Sequence, residues 1–147
     1  IKARTDAAGI LGAEEAIERL NLFAEAGADL LFADALLSAD DIGMVARNVS
    51  KPLSVNMGFG IRSRASTPLI GPKDLEAMGV SAVIYPRLLT SSALRGMMNA
   101  MNVFKEEVIG NNGTPDRKDL MISFEELNDI TGMSELDALM AKYGGGA

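Results

Sequence analysis

Short apolar runs and longer amphipathic stretches take turns along this chain, and the pairing recurs four times. The first run, Ile1 to Thr5, passes from apolar to polar and leads into a turn bearing Gly9 and Gly12. From Ala13 to Ala26, Ala16, Ile17, Leu20, Phe23 and Ala24 fall on one helical stripe, with Glu14, Glu15, Glu18 and Glu25 mostly elsewhere. Gly27 follows, where a left-handed residue would end that helix. Leu30-Leu31-Phe32-Ala33 is a compact apolar run, as expected of a buried strand. Ser38 with Asp41 predicts the start of a helix carrying Ile42, Val45, Ala46 and Val49. Pro52 opens a third strand, Leu53 to Asn56, followed by a long loop from Met57 to Ser66 and a short helix that Pro72 begins. Met78-Gly79-Val80 repeats the stop at Ala26-Gly27-Ala28, and Ala82 to Tyr85 makes the fourth strand.

A long helix is predicted from Ser92 to Ile109, with Leu94, Met97, Met98, Met101, Phe104 and Val108 inward as core packing. Breakers between Gly110 and Pro115 then separate off two short helices, started by Ser123 with Glu126 and by Ser134 with Asp137. Leu136, Leu139, Met140 and Tyr143 are expected to dock on the main body or on another subunit.

Successive βα units call for parallel strands with right-handed crossovers. The pattern suits half of an eight-stranded barrel or part of a doubly wound sheet. No Gly-x-Gly-x-x-Gly follows any strand, which counts against a dinucleotide-binding sheet. Four strands alone would leave two unpaired edges and an uncovered inner face. An N-terminal half of similar size is therefore the expected partner. Residues 1–110 are read as four βα units and 111–147 as a loop with C-terminal helices.

Composition narrows the chemistry. The 147 residues are 48% hydrophobic and 23% charged, enough apolar content for a globular core. Twenty acidic against 14 basic side chains give a net charge of −6, with no long basic run, so a nucleic-acid partner is not expected. With no Cys and no His, the segment offers no thiolate nucleophile, no imidazole base and no zinc site of the usual ligands. No apolar stretch approaches the roughly 20 residues that span a bilayer, and no signal peptide is visible. No membrane partner is expected, and a cytoplasmic location is.

Each predicted strand ends in polar groups: Arg4-Thr5-Asp6, then Asp34, Asn56, and Tyr85-Pro86-Arg87. In a barrel the catalytic groups sit at these carboxyl ends, where the βα loops converge. Arg4 offers a planar fork of donors that matches a carboxylate or phosphonate. Asn56 and Thr67 are neutral groups that can fix an anionic oxygen, and Asp34 can orient Arg4 or a substrate hydroxyl. Arg95, near the predicted start of the long helix, adds a cation beside a positive helix end. Such a mouth suits a small acid with two or more anionic groups.

Ala3-Arg4-Thr5-Asp6-Ala7 resembles the "ARTDA" strand of the isocitrate lyase/phosphoenolpyruvate mutase family. Leu31-Phe32-Ala33-Asp34-Ala35 resembles its "F-x-E-A" strand, Asn56 with Thr67-Pro68-Leu69 its "N…TPL" segment, and Met78-Gly79-Val80 to Tyr85-Pro86 its "LGV…YP" strand. Each motif is short; their order along residues 1–105 carries the resemblance. The family implies a complete (β/α)₈ barrel and a Mg²⁺-dependent lyase or mutase. Its substrates are 2-oxo or 2-hydroxy di- or tricarboxylic acids or phosphonates, taken through an enolate-like species. It also implies a homodimer or homotetramer whose final helix is exchanged between subunits. Position by position, Arg4 would bind the oxyacid group and Asp34 would sit near the metal-bound substrate. Asn56, Thr67 and Arg95 would bind the distal carboxylate. The metal ligands would lie on earlier strands, with none in this segment.

Two departures stand out. Asp34 replaces the usual Glu, shortening its reach by one methylene, and the loop after Met57 is long and carries Arg62 and Arg64. These features are closer to the subset with carboxyphosphonoenolpyruvate mutase and oxaloacetate decarboxylase-like enzymes. The competing reading is a non-catalytic or regulatory half-barrel that assembles with a partner chain.

Overall fold

The computed structural model describes residues 1–58 and 67–144. The expectations for Arg62, Arg64 and most of the loop around them lie outside the described residues. The chain divides into two compact units, Ile1–Ser91 and Ser92–Ala147.

In the first unit the elements are β1 (Lys2–Thr5), α1 (Ala8–Leu11), α2 (Ala13–Glu25), β2 (Leu30–Ala33), α3 (Ala39–Asn48), β3 (Leu53–Asn56), α4 (Pro72–Ala77) and β4 (Ala82–Ile84). The strands form one parallel sheet in the order β1-β2-β3-β4. A doubly wound sheet reverses its strand order partway and carries helices on both faces. Neither holds here. Ala3, Leu31, Ala33, Leu53, Val55 and Val83 alternate onto one face and meet Leu20 and Ala24 of α2, Ile42 and Val45 of α3 and Leu75 of α4. That face is the core. The sheet is singly wound and one-sided, as in one half of a barrel.

Local chemistry explains the boundaries. Two of the three helices that lead directly into a strand, α2 and α4, end in the same motif. Gly27 has φ 103° and Gly79 φ 97°, while Ala28 N–H reaches back to Phe23 O at 3.0 Å and Val80 N–H to Leu75 O at 3.0 Å. Ser38 caps α3, its Oγ accepting from Asp41 N–H at 3.0 Å. Ser38→Ala should cost about 1 kcal/mol, read as a lower urea midpoint at unchanged m-value. The Asn21 side chain ties α2 to the end of α3: its Nδ2 donates to Asn48 O and its Oδ1 accepts from Ser50 N–H, each at 2.9 Å.

Helix α5 runs from Leu88 to Val103, a π-helical segment follows over Phe104–Gly110, and α6 (Phe124–Thr131) and α7 (Met133–Tyr143) finish the chain. Three expectations are corrected here. Helix α5 starts at Leu88, not Ser92, because Arg87 turns the chain with φ 64° and its carbonyl accepts from Ser91 N–H at 2.8 Å without a polar cap. Helix α7 does not start at Ser134. Gly132, with φ 69°, closes α6 and opens α7 in a single residue. The third concerns burial: Leu94, Met97, Met98, Met101 and Phe104 are 46–58% exposed, so the stripe is no core in this chain. Ser123 and Glu126 do form the full capping box of α6. No helix among the described residues is long and apolar enough to cross a membrane.

Candidate functional site

Strand alternation decides which side chains share a surface. Arg4 pairs in register with Phe32, Phe32 with Ser54, and Asn56 with Ile84. Lys2, Arg4, Phe32, Ser54 and Asn56 therefore stand on the sheet face opposite the helices. Thr5 points the other way and is buried, its Oγ1 accepting from Ala7 N–H at 3.2 Å. That bond shapes the turn that brings Asp6 back beside Arg4.

Arg4 is held on three sides. Its Nε donates to Asp6 Oδ1 at 2.8 Å, its Nη2 donates to Asp34 Oδ2 at 2.6 Å, and its guanidinium lies 5.2 Å from the centre of the Phe32 ring. The bond to Asp6 raises its pKa above the ordinary value; partial burial opposes this, and the charges of Asp34 and Asp6 add to the rise. Nη1 has no hydrogen-bond partner among the described residues. The outer edge of the fork is thus open to a planar anion.

Asp34 is aimed by strained backbone. Ala35 adopts φ 60°, unfavourable for a residue with a Cβ, and its N–H donates to Asp34 Oδ1 at 2.9 Å. The turn fits closely: a Cβ built on Gly9 of α1 would sit 3.0 Å from the Ala35 methyl.

Asn56 Oδ1 is buried with no hydrogen-bond partner among the described residues. Thr67 is 5% exposed. A pocket of 410 Å³ opens at the carboxyl ends of β3 and β4, lined by Met57, Gly58, Leu69, Ile70, Gly71, Pro72 and Tyr85. Arg95 belongs to the second unit and stands well inside α5, so the expected positive helix end beside it is corrected. The structure therefore joins Arg4 directly to Asp34 and sets Asn56 on the same sheet face.

Sequence reasoning gave no role to Asp6, Phe32 or Lys2. The signal was present, since alternate residues of one strand share a face and Lys2 stands two before Arg4. Among the described residues no group of three or more Asp or Glu could hold a metal ion, and both carboxylates beside Arg4 are engaged by it.

A family model described as phosphoenolpyruvate phosphomutase matches residues 1–105. A 2-methylisocitrate lyase of Halalkalibacterium halodurans is 37% identical over 95% of this chain and 44% of its own length. The crystal structure of a 2,3-dimethylmalate lyase superposes with a TM-score of 0.79 at 28% identity, over 99% of this chain and 46% of that one. An oxaloacetate acetylhydrolase in complex with its product oxalate gives 0.79 at 26% identity, over 98% and 47%. The chain spans under half the length of each of these relatives.

Proposed function

Because the chain belongs to the phosphoenolpyruvate phosphomutase family, we propose that it is the C-terminal half of a (β/α)₈-barrel lyase or mutase acting on a small 2-oxo or 2-hydroxy acid or phosphonate. The observation that carries this reading is Arg4, fixed by Asp6, Asp34 and Phe32 with its outer edge open on the sheet face opposite the helices. A guanidinium held in advance needs no reorganisation when charge grows on a bound oxyacid. Arg4 grips one carboxylate or phosphonate through two donors. Asp34 keeps that fork oriented and, as the family resemblance implies, sits near the substrate. Asn56 and Thr67 receive the distal carboxylate.

The intermediate is enolate-like, and the remaining strands of the barrel supply whatever acid or base moves its protons. Mg²⁺ remains part of the proposal only through ligands on those strands. EDTA should abolish turnover of the complete enzyme and added Mg²⁺ restore it; undiminished activity in EDTA would remove the metal from the reading. The exposed Leu136, Leu139, Met140 and Tyr143 of α7 support exchange of the C-terminal helices in a homodimer or homotetramer.

The direct test is a substrate panel of 2-methylisocitrate, 2,3-dimethylmalate, oxaloacetate and phosphoenolpyruvate, followed by product detection with the complete enzyme. Turnover of at least one is expected. Failure with all four, in protein shown to be folded, would leave the half-barrel a non-catalytic assembly.

A further inference from the structure

We propose that Lys2 is a second anion-contacting cation of this site, brought level with Arg4 by the ring of Phe32. The inference rests on the reading of the Arg4 face as an anion site and deepens it. Arg4 alone cannot make the site attractive to an anion. Its single positive charge stands against two carboxylates in direct contact, Asp6 and Asp34, so the three groups together carry one net negative charge. An incoming dicarboxylate meets good hydrogen-bond donors there but an unfavourable field.

Lys2 supplies the missing charge. It stands on the same face of β1 as Arg4, and its ammonium lies 4.4 Å from the centre of the Phe32 ring. Its register partner is Leu30, two residues short of Phe32, so the side chain runs toward the carboxyl end of the strand by about 6–7 Å. The ammonium thus lies against the same ring as the Arg4 guanidinium. Phe32 is 6% exposed, and its electron-rich ring lies within reach of both cations, which offsets part of their mutual repulsion. Lys2 forms no ion pair among the described residues, whereas Arg4 forms two. A point charge with rotatable donors beside a fixed planar fork suits a small dianion: the fork takes one carboxylate and the ammonium the other.

The test is calorimetric titration of the complete enzyme with oxalate at several salt concentrations, comparing wild type with Lys2→Met, Lys2→Arg and Arg4→Ala. Lys2→Met should weaken binding about tenfold and flatten its salt dependence, while Lys2→Arg stays within about threefold of wild type. Wild-type affinity in Lys2→Met, with affinity lost in Arg4→Ala, overturns the role of Lys2 and leaves the anion site standing. A lowered melting temperature in Lys2→Met with unchanged oxalate affinity also overturns it, marking Lys2 as a structural partner of some carboxylate. Wild-type protein that does not bind oxalate overturns the anion site itself, and this inference with it. Should Lys2→Met fail to fold, Lys2→Gln and Lys2→Arg decide the matter: weakened against retained binding supports the proposal, equal binding overturns it.

Discussion

Replacing Arg4 by alanine is expected to lower kcat/KM of the complete enzyme at least about 100-fold, equivalent to about 2.7 kcal/mol of lost transition-state stabilisation. Two effects add. The charge-assisted fork disappears, and Asp6 and Asp34 are left facing the substrate with no cation between them. The first lowers kcat and the second raises KM, so both constants should move. Arg4→Lys should recover only part, because an ammonium keeps the charge and loses the planar edge. Folding should survive, since the Arg4 side chain is 54% exposed. Turnover near wild type in Arg4→Ala would remove Arg4 from the site, and the proposed activity would lose its support.

The largest stability effect is expected at Leu31. It is fully buried in β2, among the residues through which α2, α3 and α4 pack on the sheet. Leu31→Ala removes that filling from an interior with little room to collapse and should cost about 3 kcal/mol, within a measured range of about 2–5. For a domain stable by about 5–15 kcal/mol this is a large fraction, and the urea midpoint should fall at constant m-value. Ile10→Ala is the control: at 88% exposed it should change stability by less than about 0.5 kcal/mol. Equal midpoints for the two variants would mean that the helix-covered face is not the core.

The strands were legible because burial on the helix side writes itself as apolar runs. Leu30–Ala33 and Leu53–Asn56 are found with the bounds expected of them, and the stops at Gly27 and Gly79 fall where the sequence places them. Helix α1 was not legible, since four residues cannot show a 3.6-residue period. The start of α5 was missed for a related reason: it follows a left-handed arginine, and no Ser, Thr, Asp or Asn stands before it to announce a cap.

At the site, Arg4 and Asp34 were readable as donor and acceptor at neighbouring strand ends, and the two are hydrogen-bonded to each other. Asp6 closing on Arg4 was not readable, because it depends on the turn set by Thr5 Oγ1. The methionine stripe of α5 shows a different limit. Periodicity tells which side of a helix is apolar; it cannot tell whether anything lies against it.

The close fit of Gly9 against Ala35 ties two distant stretches of sequence together. A methyl group at position 9 would push the Ala35 backbone by a few tenths of an ångström, and that backbone holds one oxygen of Asp34 while Arg4 holds the other. Evolutionary drift at these positions should therefore be correlated: a larger residue at 9 becomes acceptable only where residue 35 yields, so an apparently idle turn takes part in setting the position of Arg4.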